Sequence, residues 1–233
     1  MIPWLCSGAG FPPVEESMTE PNGLLAAGLE LNPELILDAY RKGIFPWFNP
    51  GETVLWWSPD PRMVLYPSAF RMSRSLRQKI KRGGYEIRVD SDFGQVIAAC
   101  AAPRPSQHGT WIGPAIRQSY SALHDMGYAH SIETWIDGEL AGGLYGLAIG
   151  RMFFGESMFA RRTDASKLAL AHLCQQLEKW NFGLIDCQME TAHLASMGAR
   201  PIRRTDFIQE VARLVKLQPV PTPWLFDPIH ASD

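Results

Sequence analysis

Between Gly150 and Gln188 apolar runs alternate with single polar intrusions, and the pattern predicts strand, loop, helix and strand in succession. Leu170, Leu173, Cys174 and Leu177 stand at i, i+3, i+4 and i+7, one face of a helix over Ser166 to Trp180. At one end Glu156 interrupts Met152-Phe153-Phe154 and Met158-Phe159. At the other, Asp186 and Gln188 close the run Phe182 to Ile185. An unpaired carboxylate buried among such residues costs several kcal/mol or takes up a proton, so these polar groups are candidate functional residues. Strand alternation predicts that Asp186 and Gln188 share one face while Cys187 turns away from them.

The same reading places elements on either side. Asn32 as N-cap, Pro33 at the first helical position, Glu34 beside the dipole and Gly43 as a stop delimit one helix. Tyr85 to Val89 alternates as a strand, and helices follow over Asp92 to Cys100 and Pro114 to Met126. His130 to Trp135 and Glu139 to Ala148 are strands joined by Asp137-Gly138, a two-residue hairpin turn, with Arg151 to Phe154 as a third antiparallel strand. A short helix over Thr191 to Met197 and a longer one over Arg204 to Lys216 complete the chain before a Pro-rich tail. Phe45, Trp47, Phe48, Trp56 and Trp57 are broken by prolines, which excludes an ordinary helix or a central strand. Most of them are expected in a core; Trp47, flanked by Pro46 and a turn, is the one expected at a ligand face.

Composition narrows the class. The chain has 233 residues, 46% of them hydrophobic, enough for one large domain or a core domain with a small one. No run of apolar residues is long enough to span a membrane, and the first basic residue is Arg41, so no exported or membrane-bound protein is expected. Cys6, Cys100, Cys174 and Cys187 lack CxxC spacing and the six His lack HxxxH or HxH pairing, which predicts reduced thiols and no metal. The net charge of -2 is unevenly spread: Arg62, Arg71, Arg74, Arg77, Lys79, Lys81 and Arg82 occur between Pro61 and Tyr85 with no acid among them. Ser73 to Arg82 reads as a helix carrying most of this patch, a surface that would attract a polyanion.

Several blocks of the chain resemble the signature segments of bacterial leucyl/phenylalanyl-tRNA-protein transferases. They are Glu20 to Leu25, Tyr40 to Phe48, Leu55 to Arg62, Gly109-Thr110-Trp111-Ile112, Gly155 to Phe159, Asp164 to Lys167 and Leu184 to Gln188. The resemblance implies an α+β fold, with a small N-terminal domain followed by a GNAT-like acyltransferase domain whose mostly antiparallel central sheet is flanked by helices. We expect the domains at 1–62 and 63–233. It implies a cytoplasmic enzyme, expected to be a monomer without cofactor. Such an enzyme moves Leu or Phe, with Met as a further candidate, from aminoacyl-tRNA to the N-terminal Arg or Lys of a protein, marking it for N-end rule degradation.

Roles follow for named residues. The reaction is aminolysis of an activated ester, in which positioning can supply most of the rate. Gln188 is too weak a base to do more than orient the nucleophile, with Asp186 fixing Gln188 or accepting a proton. Glu156 is expected near the acceptor's amine and cationic side chain. Leu144, Phe153, Met158, Leu170, Leu173, Leu177 and Ile185 are candidate walls of an aminoacyl pocket. Trp47 and Trp111 are candidates for stacking the terminal adenine. Arg71, Arg74, Arg77, Lys79, Lys81 and Arg82 are candidates for the tRNA backbone.

The chain departs from the family pattern at Ala26 to Pro33, where Leu29 replaces a glycine, a change that matters if that residue has positive φ. Two rival readings are an acyl-CoA N-acyltransferase and a non-catalytic tRNA-binding module. Against the first, Phe159 to Ser166 lacks the glycines of a pyrophosphate loop and carries Asp164. A thiol enzyme built on Cys187 and His193 is disfavoured by the strand phase.

Overall fold

The computed structural model describes residues 2–6, 8, 10–103 and 110–227. Gly109 of the Gly109-Thr110-Trp111-Ile112 block lies outside the described residues. Two sheets organise the molecule. The small one is built from β1 (Trp4–Leu5), β2 (Leu24–Gly28), β3 (Phe45–Pro46) and β4 (Leu55–Trp57), with α1 (Pro33–Arg41) between β2 and β3. Its spatial order is β1-β2-β4-β3.

The large sheet takes in the remainder. In chain order come β5 (Arg62–Leu65), α2 (Arg74–Arg82), β6 (Glu86–Val89), α3 (Phe93–Ala101), α4 (Pro114–Asp125), β7 (Ala129–Ile136) and β8 (Glu139–Ile149). Then follow β9 (Met152–Ala160), α5 (Ala165–Lys179), β10 (Leu184–Gln188), α6 (Ala192–Ser196), β11 (Arg200–Ile202) and α7 (Arg204–Leu214). The strands lie in the order β11-β5-β10-β9-β8-β7-β6, antiparallel except where β9 and β10 run parallel. This is the mostly antiparallel, helix-flanked α+β architecture expected from the sequence. Among the described residues no helix is long and apolar enough to cross a membrane.

Local chemistry explains most boundaries. The Asn32 side chain accepts from the Leu35 N–H at 2.8 Å, capping α1 behind Pro33. Asp137 and Gly138 both have positive φ (54° and 77°), the backbone a primed hairpin turn needs between β7 and β8. Alternation along the strands sorts the core into two layers. Tyr145, Leu147 and Phe154 pack with α1, α3, α4 and α7, while Leu144, Phe153 and Ile185 pack with α5 on the other face. Gly142 of β8 permits the closest approach of α5: a Cβ there would stand 2.6 Å from that of Ala165.

Three expectations need correction, and two strands of the large sheet were not expected at all. Leu55–Trp57 is a strand, and an inner one, because the prolines only bracket it and the Trp56 indole donates to the Gly28 carbonyl at 2.9 Å. β9 runs on to Ala160, well past the Phe154 expected as its end, so Glu156 lies within the strand. β5 and β11 are short and carry arginine, proline or both, so no alternation announces them. Alternation also fails at the end of β10, where a register shift between Asp186 and Gln188 accompanies a φ of 61° at Gln188. Leu29 does have positive φ, 65°, the case in which replacing glycine introduces strain.

Candidate active site

The site lies where β5, β9 and β10 meet α1 and α4. Asp186 is fully buried, and both of its oxygens are taken by Arg62, with Nε 2.8 Å from Oδ1 and Nη2 2.6 Å from Oδ2. Arg62 is itself fully buried between the rings of Phe45 and Phe207, 4.7 and 4.5 Å from their centroids, and its Nη1 donates to the Gly43 carbonyl at 3.3 Å. It therefore does not belong to the basic surface in which the sequence reading placed it. Asp186 Oδ1 also accepts the Gln188 backbone N–H at 2.8 Å. Both carboxylate oxygens of Asp186 are thus engaged, one of them also by the Gln188 backbone.

Gln188 turns its carboxamide toward Glu156, with Nε2 3.3 Å from Oε1. Glu156 is buried and has two further partners: the Tyr40 hydroxyl 2.5 Å from Oε1 and the Tyr120 hydroxyl 3.1 Å from Oε2. No cation is among these hydrogen-bond partners. Burial is the main reason the Glu156 carboxyl is raised to about 7, with the Asp186 charge adding to it and the Tyr40, Tyr120 and Gln188 hydrogen bonds opposing it. Burial, and then the Glu156 charge, likewise raises the phenols of Tyr40, Tyr120 and Tyr145.

Two connected hollows meet at Glu156. An open cleft of about 640 Å³ has Trp47 and Trp111 in its walls, with Glu156, Met158, Cys187 and Gln188 at its base. Behind it a smaller, mainly apolar cavity of about 120 Å³ shares Glu156, Met158, Cys187 and Gln188 with the cleft. Of the expected pocket walls, Leu144, Phe153, Met158, Leu170, Leu173 and Ile185 line this cavity. Leu177 does not; it is fully buried one turn further along α5, in the core beyond it. The bulge also brings Cys187 to both hollows instead of turning it away. Burial pushes its thiol well up, which removes the thiolate a thiol enzyme would need. His193 lines the cleft, its imidazole lowered by burial and by Lys167.

The basic residues lie apart from both hollows. Leu76 and Ile80 anchor α2 against Leu168 and Ala171 of α5. That leaves Arg71, Arg74, Arg77, Lys81 and Arg82 exposed, while Lys79 is half-buried and donates to the Thr163 carbonyl. Sequence reasoning missed Arg62, Tyr40 and Tyr120 as site residues. Tyr40 follows Ile36 and Leu37 at helical spacing and reads as plain core, and its partner Tyr120 stands on a different helix.

A family profile described as leucyl/phenylalanyl-tRNA protein transferase matches residues 64–212, and one for the N-terminal domain of that protein matches residues 30–60. Relatives named leucyl/phenylalanyl-tRNA-protein transferase include one from Nitrosomonas europaea, 61% identical over 97% of this chain and 96% of its own. Another, from Thiobacillus denitrificans, is 62% identical over 93% of this chain and 95% of its own. Among solved structures, a GCN5-related N-acetyltransferase from Kribbella flavida overlaps with a TM-score of 0.35 at 15% identity, covering 73% of this chain and 61% of its own. With residues 64–212 matched by the family profile and such identity along nearly its full length, the chain belongs to the leucyl/phenylalanyl-tRNA-protein transferase family of aminoacyltransferases.

Proposed function

We propose that this protein transfers Leu or Phe from aminoacyl-tRNA to the α-amine of an N-terminal Arg or Lys on an acceptor protein, acting as a cytoplasmic monomer. The observation that carries this reading is the junction of a tryptophan-walled cleft with a small apolar cavity at Glu156, Met158 and Gln188. An aminoacyl-adenosine has the matching shape. Its side chain enters the apolar cavity, its adenine stacks on Trp47 or Trp111, and its ester carbonyl is left at Gln188. Met158 is unbranched and polarizable, suited to both a branched aliphatic and a flat ring. Residues 1–62 then supply Trp47 and the ring of Phe45, and residues 63–233 the apolar cavity.

In the reaction the acceptor's neutral amine attacks the ester carbonyl, forming a C–N bond. The tetrahedral intermediate collapses by breaking the C–O bond to the ribose, and the amine's surplus proton leaves with the ribose hydroxyl. Gln188 gives its nitrogen to Glu156, so its carboxamide oxygen is the end that accepts from the attacking amine and aligns it. We assign Glu156 to the acceptor's cationic groups, because a buried carboxylate among neutral donors gains most from a cation. The exposed face of α2 and Arg71 would hold the tRNA body. Incubation with labelled Leu-tRNA and peptides beginning with Arg or Ala tests the whole: label should pass to the first alone. Transfer to both peptides, or to neither, would refute the assignment of donor and acceptor.

A further inference from the structure

We propose that Arg62 is a positioning residue for the transfer reaction, fixing the backbone of Gln188 through Asp186. The inference rests on the reading above that Gln188 aligns the attacking amine. Gln188 has a φ of 61°, a region that side-chain-bearing residues avoid unless their surroundings enforce it. The hydrogen bond from its own N–H to Asp186 Oδ1, at 2.8 Å, is the restraint acting on that peptide. Asp186 can offer that oxygen in a fixed place because Arg62 grips both ends of its carboxylate in the planar fork that a guanidinium makes with a carboxylate.

The guanidinium is fixed in turn. The rings of Phe45 and Phe207 cover it, and the Gly43 carbonyl takes a third N–H. A rigid series thus runs from the small sheet and α7 through Arg62, Asp186 and Gln188 to Glu156, with every link a hydrogen bond or a ring contact. Stability alone is a poor reason to keep this pair, since buried ion pairs can often be replaced by well-packed apolar residues without loss. The geometry instead serves a residue at the floor of the cleft, where a small misplacement of an aligning group is expensive in rate.

The test uses the full chain, Leu-tRNA and an Arg-initiated peptide. Arg62→Lys keeps the charge but loses the fork, and should lower kcat at least tenfold while both KM values stay within about twofold. Adding Asp186→Asn to Arg62→Lys should give little further loss, because the two residues act in series. Wild-type kcat in a folded Arg62→Lys, or losses that multiply in the double variant, would overturn the proposal. Should Arg62→Lys fail to fold, Arg62→Met with Asp186→Leu leaves no unmatched buried charge. It should bind Leu-tRNA normally yet lose kcat, and full kcat would equally overturn the proposal. Gln188→Ala separates the two levels. If it is as fast as wild type, the role given to Gln188 is wrong; if it is slow while the Arg62 variants are fast, the positioning role alone fails.

Discussion

The hydroxyl oxygens of Tyr40 and Tyr120 lie 2.7 Å apart, and each also meets one oxygen of Glu156. Three groups share three short contacts, but two hydroxyls bring only two protons to them. A proton on Glu156 lets each contact carry one, closing a ring in which both hydroxyls donate and accept while one Glu156 oxygen only donates and the other only accepts. Burial and this ring together favour the neutral carboxyl near neutral pH, whereas an arriving cation would favour the charged form.

A pH dependence follows, with kcat/KM for an Arg-initiated peptide rising as pH passes about 7 and Glu156 ionises. Glu156→Gln should remove that inflection and leave only the one from the acceptor amine, at about 7.7. Pre-steady-state transfer measured from pH 5.5 to 8.5 gives both curves, and an unchanged inflection in the variant would exclude Glu156 as its source.

The same carboxyl shapes stability. Its folded-state value lies above the ordinary 4.5, so the native protein holds an extra proton between them. That contribution is complete below about 4.5 and is lost as pH rises through about 7. Glu156→Gln should therefore gain on the wild type between pH 5 and pH 8, by up to about 3 kcal/mol. Urea unfolding of both proteins at the two pH values measures this; a constant difference would mean that Glu156 titrates as it does in the unfolded chain.

For the apolar cavity, Leu170→Trp should raise KM for Phe-tRNA more than for Leu-tRNA, since overpacking costs about 1 to 3 kcal/mol and the larger donor meets it first. Leu177→Ala is the contrasting variant, outside the cavity but in the same core cluster. It should lower stability by about 2 to 5 kcal/mol with the ratio of Leu to Phe transfer unchanged. Equal loss for both donors in Leu170→Trp, with an intact Tm, would place the donor side chain elsewhere.

Much of the cavity was legible because helical and strand periods are local signals. Leu170 and Leu173 on α5, with Phe153 and Ile185 on neighbouring strands, fall on one side by counting residues. Arg62 was not legible, since its partner Asp186 is 124 residues away and a run of basic neighbours gave it a false context. The turn of Gln188 was hidden for a related reason: a bulge is set by the pairing partner, here β5, and β5 itself left no alternation to read. Tyr40 and Tyr120 looked like core and are core; what makes them site residues is a carboxylate from a third element.

On the basic helix, reversing Arg74 and Arg77 to Glu should weaken tRNA binding and flatten its salt dependence, each lost phosphate contact lowering the slope by about 0.7 to 0.9. An aminoacyl-adenosine donor should be used almost as well as before, because no residue of α2 lines the cleft. A full salt slope in the double variant would make the patch an ordinary solvated face.

At the cleft wall, Trp47→Ala and Trp111→Ala should each raise KM for aminoacyl-adenosine, with stacking worth about 1 to 3 kcal/mol per base. The loss should vanish for an aminoacyl ribose that lacks the base. A loss of equal size with that donor would move the adenine away from both rings.

The position of β5 bears on how the chain is made as well as on how it works. Val64 pairs with Asp186 on one side and with Arg200 on the other, so a strand near the start of the catalytic region waits for two strands from near its end. During synthesis Met63, Val64 and Leu65, all buried at the finish, have no strand partner until β10 has left the ribosome, and their second edge is covered only when β11 follows. Pairings so distant in sequence make for slow folding, and a bare apolar strand is what chaperones bind and what aggregates when they are scarce. The yield of active protein should thus depend more on elongation rate and temperature than the stability of the finished fold would imply.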